Sequence, residues 1–190
     1  MISRMSMWIL TTLGWEIHAD FPDLEKYVII AAPHTSNWDF PLCILVIKAL
    51  KLDVSWIGKH TIFRWPFGWF FRALGGTPVD RGQSLNVIQQ TTDLFNQSEH
   101  LIFALAPEGT RSKTNHWKTG FYHIARAAKV PIAMGYLDFG KKQVGVSDSF
   151  YPGDDIEADF RLIAEYYKDK QGKNPENTSL IRVKKSKNLG

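Results

Sequence analysis

Two apolar runs, Tyr27–Ala32 and Leu101–Ala106, each stop at a proline, and a polar cluster follows each stop. Neither run alternates apolar with polar residues. Each therefore reads as a strand covered on both faces, the kind found in parallel sheets flanked by helices. Met5–Leu13 reads as a helix ended by Gly14, and Phe40–Leu50 as a buried helix. Helices also follow Ser84 and Thr119, and Ile156, Phe160, Ile163, Ala164 and Tyr167 stripe a last one at helical spacing. Trp15–His18, Val54–Ile57, Val130–Leu137 and Gln143–Val146 read as strands. Thr77–Gly82 reads as an edge strand and loop, because Pro78 cannot complete a central ladder. The alternation predicts an α/β fold with a largely parallel central sheet flanked by helices.

A chain of 190 residues is most simply one domain. The expected organisation is a domain at 1–170, opening with a short amphipathic helix, and a flexible basic tail at 171–190. That tail holds Lys173, Arg182, Lys184, Lys185 and Lys187 against Glu176, which accounts for the whole net charge of +4. The rest is neutral, which argues against a nucleic-acid partner. No run approaches the roughly 18 apolar residues of a membrane span. The single Cys43 excludes an internal disulfide and points to a reducing, cytoplasmic setting.

His34 stands at the end of the first strand, and Asp39 follows five residues later. Along one helix that spacing is about 500°, about 140° past a full turn, which would splay the pair. Across a strand-turn-helix junction the chain folds them together, and a carboxylate beside an imidazole fixes its tautomer and strengthens it as a base. A second reading stands beside this one. Ser36 and Asp39 match a capping box, so Asp39 also suits a helix start. After the second strand come Glu108, Gly109, Thr110 and Arg111, then Lys113 and Lys118. Gly109 permits positive φ or close approach, and Arg111 offers a planar fork for phosphate or carboxylate, with Glu108 placed to hold it. The order of residues excludes a phosphate-binding P-loop. His100, His116 and His123 have no metal-ligand spacing with a Cys or an acid, so they read as structural.

His34-x4-Asp39, Gly76-Thr77-Pro78-Val79-Asp80-Arg81, Pro107-Glu108-Gly109-Thr110-Arg111 and Val130-Pro131-Ile132 resemble, in order and spacing, the four blocks of the glycerophospholipid acyltransferase family. Its best-known members are the lysophosphatidic acid acyltransferases. The resemblance spans about residues 27–137. It departs at Ala106, where an aromatic or aliphatic residue is common, and at Ala133-Met134-Gly135, where Val-Pro-Ile-x-Pro-Val is usual.

The resemblance implies an O-acyltransferase of the glycerol-3-phosphate acyltransferase-like fold. It implies transfer of a fatty acyl group from acyl-CoA or acyl-ACP to a hydroxyl of a (lyso)phospholipid or glycerol-phosphate-like acceptor, with no cofactor beyond that co-substrate. His34 would be the general base and Asp39 its orienting partner. Arg81 and Arg111 would hold the acceptor's phosphate, with Glu108, Gly109, Thr110 and Lys118 around it. The expected location is peripheral, on the inner face of a membrane. A lipid or thioester hydrolase using the same pair, and a non-catalytic lipid-binding module, are the alternatives. Residues 62–74 are the most aromatic stretch; five aromatics in seven residues around Pro66 and Gly68 favour an interface or acyl-chain pocket over core packing.

Overall fold

The computed structural model describes residues 2–19, 21–79 and 84–184. Its strands are β1 (Glu16–Ala19), β2 (Lys26–Ala31), β3 (Val54–Lys59), β4 (Gly76–Val79), β5 (Leu101–Leu105), β6 (Ile132–Asp138) and β7 (Gln143–Val146). Its α-helices are α1 (Ile2–Thr12), α2 (Asp39–Leu50), α3 (Gly68–Ala73), α4 (Ser84–Gln97), α5 (Gly120–Ala128) and α6 (Ile156–Tyr167). The strands form one sheet in the order β1-β7-β6-β2-β5-β3-β4, parallel except for the β6–β7 pair. β4, with Pro78, is an edge strand as expected.

The two proline-terminated strands are neighbours at the centre. Ile30 of β2 pairs with Leu105 of β5 in parallel, so the chain leaves both at the same sheet edge. That register brings the His34 and Glu108 clusters together, at the carboxyl ends where open α/β sheets hold ligands. Tyr27 to Ile30 are all buried, without alternation, because both faces of β2 are covered. On one face Val28, Ile30, Phe103 and Ile132 pack with Phe95, Phe121, Phe160 and Ile163 from α4, α5 and α6. On the other, Leu10 of α1 joins Leu42, Val46 and Ala49 of α2 in a second cluster.

Local sequence explains several ends. Gly14 takes positive φ after α1. Lys51 closes α2 in the left-handed region with its N–H on Ile47 O. Asp155 caps α6 by accepting from Glu157 N and Ala158 N. A Cβ on Gly68 would lie 1.9 Å from Phe63 O, so only glycine lets α3 fold back on the 3-10 turn at His60–Phe63.

The aromatic stretch divides between core and surface. Phe71 packs edge-on against Trp56 of β3, Phe63 lies tilted beside the same ring, and Phe40 of α2 joins them. Trp65, Phe67, Trp69 and Phe70 point outward, Trp65 at 92% exposure and Trp69 at 71%. Residues 171–184 depart from the expected flexible tail. They lie on the domain, joined to it by hydrogen bonds at Gln171, Asn174, Ser179, Leu180 and Arg182. The bonding groups are mostly backbone and small polar side chains, which charge and hydropathy patterns do not reveal. Residues 185–190 lie outside the described residues.

Candidate active site

His34 Nδ1 lies 2.9 Å from Asp39 Oδ2. The His34 side chain is 27% exposed and that of Asp39 only 6%, so the imidazole faces out from a buried carboxylate. With Nδ1–H donating to Asp39, the lone pair on Nε2 is left free to take a proton. The same Oδ2 accepts from Thr35 N at 3.0 Å and Ser36 N at 2.9 Å. Ser36 Oγ accepts from Trp38 N rather than from Asp39 N. Only the carboxylate half of the capping box forms, with Asp39 accepting from Ser36 N, so Asp39 holds the loop as well as pairing with the imidazole.

Glu108 stands behind His34. It is 2% exposed, and its Oε1 accepts from His34 N at 2.9 Å. Burial, with the Asp39 charge adding to it, pushes this carboxyl up to about 7, although the His34 N–H works the other way. Arg111 does not use Glu108 as its partner. It is exposed, and its guanidinium donates to Asn37 Oδ1, across from the second strand-end cluster to the first. Burial of Glu108 is the reason: the chain turns its carboxylate inward beneath the His34 loop, away from Arg111.

Gly109 has φ +67, and a Cβ there would lie 2.9 Å from Lys118 Cε. The bare backbone lets the Lys118 chain lie across it. Lys118 N also bonds Pro107 O at 2.9 Å, which keeps that loop beside the cluster. Thr110 Oγ1 accepts from Ser112 N. Arg81 lies outside the described residues. Among the described residues no group of three or more His, Cys, Asp or Glu is placed to hold a metal.

A cavity of about 770 Å³ opens at this junction. Ile29, Ala31, Ala104 and Trp56 line it from the sheet, and Phe40, Cys43, Ile44 and Ile47 from α2. Its polar lining includes His34, Asp39, Thr110, Arg111, Ser112 and Lys118. That volume is within the range of small-molecule sites, and the mostly apolar lining with a few convergent polar groups is their usual make-up. The cavity also explains why α2 is apolar all round: one side packs on α1, and another faces this space. Burial, reinforced by the Asp39 carboxylate, pushes the Cys43 thiol up to about 12, which leaves it inert as a nucleophile.

A model of the acyltransferase family matches residues 16–134. The chain belongs to the acyltransferase family. The match runs from β1 into β6 and takes in both strand-end clusters. The chain is 30% identical over 133 residues to a 1-acyl-sn-glycerol-3-phosphate acyltransferase of Streptococcus pneumoniae (strain ATCC BAA-255 / R6). That alignment covers 65% of this chain and 49% of the relative, so the chain spans about half the length of the curated relative it matches. In structure it resembles the 1-acyl-sn-glycerophosphate (LPA) acyltransferase PlsC of Thermotoga maritima. The TM-score is 0.60 at 20% identity, over 87% of this chain and 74% of that one, which is a likeness of fold.

Sequence reasoning did not single out Asn37, Thr35 or Asn174, although the first two lie inside the His34-x4-Asp39 block. The block's intervening residues carry its bonding: Thr35 N and Ser36 N hold Asp39, and Asn37 holds Arg111. At the departure in the fourth block, Met134 N donates to Ser147 Oγ at 3.0 Å, a bond that a proline at this position would not make.

Proposed function

We propose that this acyltransferase moves a fatty acyl group from a thioester, on coenzyme A or acyl carrier protein, to the hydroxyl of a lysophosphatidic acid-like acceptor. The observation that carries the reading is the His34 Nδ1–Asp39 Oδ2 contact of 2.9 Å on the wall of a mainly apolar cavity. A lipid hydroxyl is a weak nucleophile until a base takes its proton during attack. His34 Nε2 is that base, and Asp39 steadies the imidazolium that forms. The hydroxyl oxygen bonds to the thioester carbonyl carbon, the carbon–sulfur bond breaks, and His34 returns the proton to the departing thiolate. The acyl chain occupies the apolar part of the cavity, and Arg111 and Lys118 take the acceptor's phosphate as charge-assisted donors.

The outward aromatics of residues 65–70, flanked by Arg64 and Arg72, suit the interfacial layer of a bilayer, where lipid substrates reside. Lys59, Thr61 and Ile62 beside them line the cavity, which gives a lipid a short route inward. No helix among the described residues is long and apolar enough to cross a membrane. The test of the function is product identification by mass spectrometry, with purified protein, an acyl thioester and a panel of lysophospholipids. Phosphatidic acid formed from lysophosphatidic acid supports the reading. Thioester loss at equal rates with and without acceptor identifies a hydrolase instead.

A further inference from the structure

From Gln171 to Arg182 the chain runs over three loops. At the β6–β7 turn, Phe139 N donates to Gln171 O at 2.8 Å. At the loop after Arg111, Thr114 N donates to Ser179 Oγ, Leu180 N to Thr114 O, and Trp117 N to Arg182 O. Between these anchors it meets the His34 loop. Asn174 N donates to Thr35 Oγ1 at 3.1 Å, and Asn174 Nδ2 to Thr35 O at 2.9 Å. Gly172 is packed so closely that a Cβ would lie 2.5 Å from Thr35 Oγ1 and 3.3 Å from Pro33 Cβ. Lys173 Nζ sits 4.6 Å from the centre of the Trp38 ring.

Thr35 is the residue next to His34 and itself a donor to Asp39. Its amide is thus held from the Asp39 side, and its hydroxyl and carbonyl by Asn174. We infer that Asn174 is a positioning residue for the acyl transfer proposed above, on which this inference rests. By clamping Thr35 from outside, it fixes the loop that sets the His34 ring against Asp39. Residues 171–182, which strap the three loops together, are then a working part of the site. Displacement of a catalytic group by about 1 Å costs on the order of 100-fold in rate, so a clamp one residue away acts on turnover more than on binding.

The test uses the full chain, wild type and the variants Asn174→Ala, Thr35→Val and Thr35→Ser. Two quantities are measured: steady-state transfer from acyl-CoA to lysophosphatidic acid, and amide hydrogen exchange of residues 34–38. Asn174→Ala and Thr35→Val should each lower kcat by about 10- to 100-fold, with both KM values within about threefold. Exchange at Thr35 and Ser36 should quicken in both. Thr35→Ser keeps the hydroxyl that accepts from Asn174 N and should recover most of the loss. Asn174→Ala removes the Nδ2 bond to Thr35 O and Thr35→Val the bond from Asn174 N to Oγ1, so the double variant, which lacks both, should be slower than either single one. Wild-type kcat in both variants, an equal loss in Thr35→Ser, or a loss that only follows the unfolded fraction would overturn the inference. If Asn174→Ala does not fold, the Thr35→Val and Thr35→Ser pair decides. If the wild type transfers no acyl group, the function falls and the clamp is judged by exchange alone. Faster exchange in Asn174→Ala upholds the clamp; unchanged exchange removes it.

Discussion

Asp39 serves three partners through one oxygen: its Oδ2 holds the amides of Thr35 and Ser36 and faces His34 Nδ1. The loop and the imidazole are thereby fixed by the same charge. Arg111 stands opposite, held by Asn37 and paired with no acid among the described residues, so its guanidinium charge is open to an anion. Arg111→Ala should raise the acceptor KM about tenfold or more, as a charge-assisted bond is lost, with the thioester KM little changed. Steady-state kinetics with each substrate varied in turn checks this, and the opposite pattern would put the phosphate elsewhere. Glu108 carries the pH prediction. Its carboxyl is pushed from 4.5 up to about 7 by folding, so the folded state holds a proton that the unfolded chain releases. Stability from this group is therefore full below 4.5 and falls as pH rises to about 7, by up to about 3 kcal/mol. Urea unfolding across that window should show a decline in the wild type that Glu108→Gln lacks; equal slopes would contradict it. His34, Asp39, Glu108 and Arg111 were all legible as polar residues at strand ends. The job of Glu108 was not, because it depends on the pairing of Ile30 with Leu105, a register between residues 75 apart in the chain.

At the level of elements, α2 and the segment from the 3-10 turn through α3 show how composition can mislead or inform. A helix as apolar as Phe40–Leu50 reads simply as buried. The structure gives it two tasks, packing on α1 and walling the cavity. The aromatics of 62–74 read as one stretch, yet Gly68 turns the chain back and sends Phe63 and Phe71 inward while Trp65 and Trp69 stay out. A count of aromatics carries no facing, and the division follows from that turn. Trp65→Ser together with Trp69→Ser should weaken co-sedimentation with phosphatidylglycerol-containing vesicles severalfold, because amphipathic ring area is removed from the interface. Thermal stability should hold, since both side chains are exposed. Unchanged sedimentation would remove this ridge from membrane binding. The strands were the most legible elements: unbroken apolar runs with prolines at their ends mark covered strands and where they stop.

Across the whole molecule, the sheet order does most to build the site. β2 and β5 lie side by side in parallel, so two polar clusters far apart in sequence share one edge. The α/β class and the parallel sheet were readable from alternating elements. The course of residues 171–184 was not, since its anchors are backbone groups and the short side chains of Asn174 and Ser179. A basic, polar terminus thus read as free where it binds three loops. The central claim is that His34, oriented by Asp39, is the base of an acyl transfer. The most direct measurement is product formation from acyl thioester and lysophosphatidic acid by the wild type and by His34→Ala, with thermal unfolding followed in parallel. The account predicts phosphatidic acid from the wild type and at least about a 100-fold loss in His34→Ala, with the fold intact. Undiminished turnover by a folded His34→Ala would contradict it.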